Sequence, residues 1–182
     1  MTIQPIRSDR VSKKKLFIRR FWLALAILVF SVVQNTDGLF PTFFGTRALI
    51  LIPLVTATAM YERDISGILF GLFAGALWDI TADGSSFNAV FLVIVGYTCG
   101  TLINTIMRNN FITHLILSAF SVGIYNLGYW IFHFIVPGLD KSFFMLMRFY
   151  FVSSLYTVIL SPLIFFFVRW IENHYREKVF AL

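Results

Sequence analysis

Six long apolar runs, separated by short polar breaks, constrain this chain more than any other feature. They extend approximately over Phe21 to Phe40 with an interruption near Gln34, then Ala48 to Tyr61, Ser66 to Ile80, Phe87 to Ile106, Phe111 to Val136 and Phe143 to Ile171. A bilayer core is roughly 30 Å thick and takes about 20 apolar residues per helical crossing, so runs of this order fit membrane helices. Membrane strands would instead show about ten residues of apolar and polar alternation, and a lone strand in lipid leaves its backbone groups unsatisfied. With 58% hydrophobic and 13% charged residues among 182, the apolar surface exceeds what one soluble core can hide. The expected architecture is an all-α membrane protein, a six-transmembrane-helix bundle over residues 21–171. A basic N-terminal tail (1–20) precedes it and a C-terminal tail (172–182) follows. The second run, with 14 clearly apolar residues, is short enough to be re-entrant.

The net charge of +6 would point to nucleic acid if it lay on a soluble face, but the basic residues border apolar runs and are better read as topology signals. Seven of them (Arg7, Arg10, Lys13, Lys14, Lys15, Arg19, Arg20) precede the first run, against one acid, Asp9. Six crossings from an inside N-terminus place 12 of the 15 basic residues on the cytoplasmic side and leave Arg47, Lys141 and Arg148 outside. Both termini are then cytoplasmic, and the tail can also meet anionic lipid headgroups. The basic start and first apolar run imitate a signal peptide, yet Val29 to Gln34 lacks a small-residue cleavage pattern, so the run reads as an anchor. The single Cys99 rules out a disulfide framework within one chain.

The third run carries the most specific pattern. Gly67, Gly71, Gly75 and Asp79 recur every fourth residue, so on a helix they share one slowly drifting face. Glycines there form a groove into which another helix can pack closely, and such packing drives helix association in lipid. The occupant is either a helix of the same bundle or a partner protein's helix. Gly96 and Gly100 in the fourth run repeat the spacing and read as an internal seal. Asp79 is an ionisable group at membrane depth and demands a partner. Arg47, at the same expected depth at the start of the second run, is the expected one, giving a structural ion pair between two helices; a ligand or proton site is the sharper alternative.

Catalytic patterns are weak. His114 and His133 lie 19 residues apart without a metal-binding spacing, and His133 reads as making one interhelical or interfacial hydrogen bond. Ser153, Ser154 and Ser161 are expected to bond back to their own helix. No nucleophile is paired with a base. Gly75, Asp79 and Asp83 match the second half of the CDP-alcohol phosphatidyltransferase motif, whose aspartates hold metals for phosphoryl transfer. The preceding Asp-Gly-x2-Ala-Arg block is missing. The expectation is therefore no catalytic residue, no cofactor and no metal.

Residues 15 to 170 resemble the MreD family of bacterial rod-shape-determining proteins. The features in order are Gln34 ending the first run, Pro41 in an outer loop, Arg47 before the second run and the turn Tyr61-Glu62-Arg63-Asp64. The glycine-striped helix ending Gly75-Ala76-Leu77-Trp78-Asp79 follows, with Gly84 and Phe87 opening the fourth run. Ala48-Leu49 stand where the family commonly has Pro-Asp. The resemblance implies a non-enzymatic inner-membrane scaffold of the cell-elongation machinery, associating with an MreC-like single-span protein and through it with MreB filaments and peptidoglycan synthases. On this reading the glycine stripe and outer loops hold the partner. The family's fold is similar to the substrate-binding subunits of energy-coupling-factor vitamin transporters, which supply the alternative function. Those subunits would need an outward polar cavity and an Ala-x3-Ala surface on the first helix, and Ala24 and Ala26 do not have that spacing.

Overall fold

The computed structural model describes residues 6–36, 38–39, 41–42, 45–62, 64–81, 87–136 and 142–175. Expectations placed on Arg63, Asp83 to Ser86, Pro137 to Lys141 and residues 176–182 lie outside the described residues, as does the His133 side chain. The regular structure is helical: α1 (Ile6–Asn35), α2 (Leu51–Glu62), α3 (Asp64–Thr81), α4 (Phe87–Thr105) and α5 (Phe111–Trp130), which continues through a π-helical turn, Ile131–Ile135. A short α6 (Ser142–Met145) and a second π-helical turn (Leu146–Tyr150) lead into α7 (Phe151–Tyr175). Each apolar run is thus largely helical, with two differences at the ends. The basic run is helical from Ile6 onward, continuous with the first apolar run. Residues 46–50 are not helical, and Pro53 falls in the first turn of α2, where its missing N–H leaves no helical bond unmade.

Four helical stretches have the length and composition to cross a membrane: Leu16–Asn35, Phe87–Thr105, Phe111–Trp130 and Phe143–His174. Ile65–Thr81 is apolar but shorter. α2, at 12 residues, rises only roughly 18 Å, far less than the bilayer core. It lies at the centre of the bundle, with Leu51 to Met60 entirely buried and α1, α3, α4, α5 and α7 packed around it. The end groups of so short a helix have no partners within it. Side chains from other helices supply them. Gln34 at the end of α1 accepts a hydrogen bond from the Leu51 amide (2.9 Å), and Asn109 donates to the Met60 carbonyl (3.0 Å). The approach to α2 is pinned by α7, where Thr157 Oγ1 accepts from the Leu49 amide (2.9 Å) and Ser153 Oγ donates to the Arg47 carbonyl (2.8 Å).

The core comprises Leu23 and Ile27 of α1, most of α2, Trp78, Leu92, Val95, Leu117, Val122, Ile164, Phe165 and Val168. The outer surface is also apolar, with Phe17, Ile80, Ile112, Phe120, Ile159 and Leu163 each at least two-thirds exposed. Large exposed apolar residues on every long helix suit a lipid environment. The helices alternate in direction. Arg19, Glu62, Asn109 and Glu172 meet at one end; Arg47, Asn88, Tyr129 and Tyr150 meet at the other.

Candidate functional site

The glycine groove is filled by the chain itself. α3 and α4 make the most extensive helix contact in the bundle, and the stripe is where they touch. A Cβ on Gly67 would sit 2.7 Å from the Gly96 carbonyl oxygen. One on Gly71 would collide with the Leu92 carbonyl, and one on Gly75 with the Ala89 backbone. Gly96 answers from α4, its own added carbon meeting the Gly67 carbonyl. Of the two occupants the sequence allowed, a helix of the same bundle is the one present. The expected docking of a partner helix on Gly67, Gly71 and Gly75 is corrected accordingly: backbone already lies against backbone there.

The same approach explains Asp79. One turn beyond Gly75, its carboxylate accepts hydrogen bonds from the amides of Asn88 (3.2 Å) and Ala89 (2.8 Å). These are second- and third-residue amides of α4, which lack partners within their own helix. A carboxylate here also meets the positive end of the helix dipole, so an acid that is 8% exposed is held by backbone. Arg47, the partner expected for it, is exposed and lines a cleft beside Asn88. With both oxygens occupied by amides, Asp79 is poorly placed to ligate a metal, and its motif companion Asp83 is outside the described residues.

That cleft, about 380 Å³ in volume, opens between α5, the π-helical turn Leu146–Tyr150 and the ends of α3 and α4. Trp78 stacks on Tyr125 (ring centroids 5.3 Å apart), and Tyr125 neighbours Tyr129 (6.2 Å), which in turn neighbours Tyr150 (6.1 Å). The Tyr125 hydroxyl donates to Asn88 Oδ1 (2.7 Å). Asn126 donates to the Tyr150 carbonyl (3.2 Å) and to Ser154 Oγ (2.7 Å). A π-helical turn widens the helix locally and is often found at functional sites; this one carries Phe149 and Tyr150 into the cleft wall.

At the opposite end is a charge network that the sequence reading missed. Glu62 receives Arg19 Nε on Oε1 (2.8 Å) and Arg20 Nε on Oε2 (2.8 Å). Arg19 also reaches Glu172 (3.2 Å), and Arg20 donates to Ser66 Oγ (2.7 Å). α1, α2, α3 and α7 are thereby tied together. The available signal was an acid closing each of two apolar runs, beside a basic stretch. Buried charges persist only when paired, which makes those acids natural mates for the arginines.

The structure also brings His114 and Ser161 together. His114 Nε2 lies 3.0 Å from the Pro53 carbonyl, its Nδ1 lies 3.3 Å from Ser161 Oγ, and Ser161 pairs with Ser118 (2.9 Å). A single tautomer, Nε2–H donating and Nδ1 accepting, fits all of these. His114, Ser118 and Ser161 are each fully buried, and a carbonyl stands where a triad would have an acid, so the chain of bonds joins α2, α5 and α7 internally. Among the described residues, no three His, Cys, Asp or Glu side chains gather as metal ligands. Compared with family models, with curated proteins and with solved structures, the chain matches none.

Proposed function

We propose that this chain is a non-enzymatic scaffold subunit of the bacterial cytoplasmic membrane, similar in role to the MreD proteins it resembles. On this reading six helices cross or enter the bilayer, the arginine end faces the cytoplasm and the aromatic cleft faces outward. It holds an MreC-like single-span partner, and through that partner links MreB filaments to peptidoglycan synthases.

The observation that supports this reading best is an apolar groove between α1 and α7. Two hollows of about 220 and 290 Å³ share Phe30 and Phe167 and run on to Trp22 and Trp170 in one direction and to Ile50 and Leu160 in the other. Lipid tails are as apolar as any helix, so association in a membrane depends on packing. A concave apolar strip along two helices offers a single transmembrane helix that packing. With α4 occupying the glycine groove, the α1/α7 strip takes over the partner-binding role.

Depletion in the host tests the proposal, with cell outline as the readout. Rounding, together with co-isolation of a neighbouring-gene product that has one membrane span, a coiled coil and a β-rich outer domain, is the expected result. Normal outline with a vitamin auxotrophy would overturn it in favour of a solute-binding transporter subunit.

A further inference from the structure

A polar cavity of about 470 Å³ opens at the arginine end, where α1, α2, α4, α5 and α7 converge, and its charged lining is Arg19, Arg169 and Glu172. Arg19 is engaged by Glu62 and by Glu172 Oε2 (3.2 Å). The other oxygen of Glu172, Oε1, is buried and accepts no hydrogen bond, in a residue only 3% exposed. Buried polar atoms are almost always bonded, so a carboxylate oxygen without a hydrogen bond, in a residue lining a cavity, points to a donor that comes from outside. Arg169, one turn earlier on α7, is exposed and makes no ion pair or side-chain hydrogen bond among the described residues. Residues three apart share a helix face, and opposite charges there ordinarily pair; Arg169 and Glu172 stay apart. α5 also starts at this cavity, with Asn110 and Phe111 in its lining and no side-chain cap from Asn110. The first amides of that helix and the positive end of its dipole therefore add to the charge of Arg169.

These groups narrow the class of ligand. A metal ion would face two guanidinium groups with one carboxylate between them. A simple anion would satisfy Arg169 and the α5 amides but would bring no donor to Glu172. A molecule that carries an anion and an N–H cation a few ångströms apart serves both, and guanidinium groups with helix N-termini suit phosphate in particular. We propose that this cavity binds an ethanolamine phosphate group, its phosphate on Arg169 and the start of α5 and its primary ammonium on Glu172. Asn109 and Asn110 lie between the spans Phe87–Thr105 and Phe111–Trp130, a level at which phospholipid headgroups stand in a bilayer, so the group can arrive as a lipid headgroup or as the free compound. This goes beyond the scaffold reading and does not depend on the partner.

The test has two arms, both on the full chain in detergent. In the first, native mass spectrometry reads which lipid is retained from an equimolar mixture of phosphatidylethanolamine, phosphatidylcholine and phosphatidylglycerol with identical acyl chains. In the second, phosphoethanolamine and phosphocholine are titrated and the thermal-unfolding midpoint is followed. Choline has no N–H to donate, so the ethanolamine form should win about tenfold, the equivalent of one charge-assisted hydrogen bond. A preference in the first arm alone names the headgroup as the source, and one in the second names the free compound. Glu172→Gln should abolish the preference over choline, and Arg169→Gln should weaken both forms about tenfold. Arg169 is exposed, so its variant decides the matter if Glu172→Gln fails to fold. The proposal is overturned by equal binding of the ethanolamine and choline forms, by preferential retention of phosphatidylglycerol, by no binding in either arm, or by wild-type binding in a folded variant.

Discussion

Adding one methyl group at Gly71 should loosen the bundle, whereas the same change at Gly123 should not. Both glycines are helical, so intrinsic propensity favours alanine at each by up to about 1 kcal/mol. Their surroundings differ. A Cβ at Gly71 would land on the Leu92 carbonyl and the Val93 Cα, all backbone, whereas at Gly123 it would meet nothing within 4 Å. Overpacking typically destabilises by about 1–3 kcal/mol, and a clash with backbone has no rotamer change to relieve it, which places Gly71→Ala in the upper half of that range. After the propensity gain, the net loss is roughly 1–2 kcal/mol, or a 5- to 30-fold fall in the folded-to-unfolded ratio. Gly123→Ala should be neutral or slightly stabilising. Reversible unfolding in mixed micelles, titrated with a denaturing detergent and followed by tryptophan fluorescence, measures both. If Gly71→Ala proved as stable as Gly123→Ala, the close α3–α4 seam would be wrong.

Three other perturbations probe the remaining ties. Asp79→Ala uncovers two amides at the start of α4 and should destabilise by about 2–4 kcal/mol, with Asp79→Asn, which keeps one acceptor, losing less than half as much; equal losses in the same unfolding assay would argue against capping. Glu62→Ala leaves Arg19 with Glu172 alone and removes the acid that Arg20 pairs with, and should lose about 2–4 kcal/mol, below the full value for a buried pair because Arg19 keeps a carboxylate and Arg20 is 43% exposed and can reach water; protease accessibility of the α2–α3 turn should rise in parallel. Gln34→Leu leaves the Leu51 amide unpaired at depth and should cost about 1–3 kcal/mol, read as faster hydrogen exchange over the first turn of α2.

Much of the architecture was legible because lipid imposes a simple rule on it. Apolar length and polar breaks located α3, α4, α5 and α7 within a few residues, although α1 begins at Ile6, well before its apolar run, and proline chemistry explains why α2 starts at Leu51 and not Ala48. The stripe at Gly67, Gly71 and Gly75 was readable as a surface for close approach, since only backbone geometry is needed to see it. Its occupant was not, because a glycine face accepts a neighbouring helix and a foreign one equally well. Asp79 was recognised as needing a partner, but a backbone amide leaves no trace in the residue alphabet, whereas Arg47 does. Glu62 and Glu172 were overlooked for the opposite reason: each ends an apolar run and so resembles an ordinary solvated terminus. The aromatic cleft draws on Trp78, Asn88, Tyr125, Asn126 and Tyr150, spread over four helical elements, and only the folded chain assembles them.

Photo-crosslinking in native membranes tests the central claim most directly, with a reactive residue placed in turn at Val29 on α1, Leu163 on α7 and Leu72 on the exposed side of α3. Specific adducts to one single-span membrane protein from Val29 and Leu163, and none from Leu72, are the predicted result. Adducts to that protein from Leu72 alone would contradict it, returning the partner to the glycine helix and leaving the α1–α7 groove to lipid.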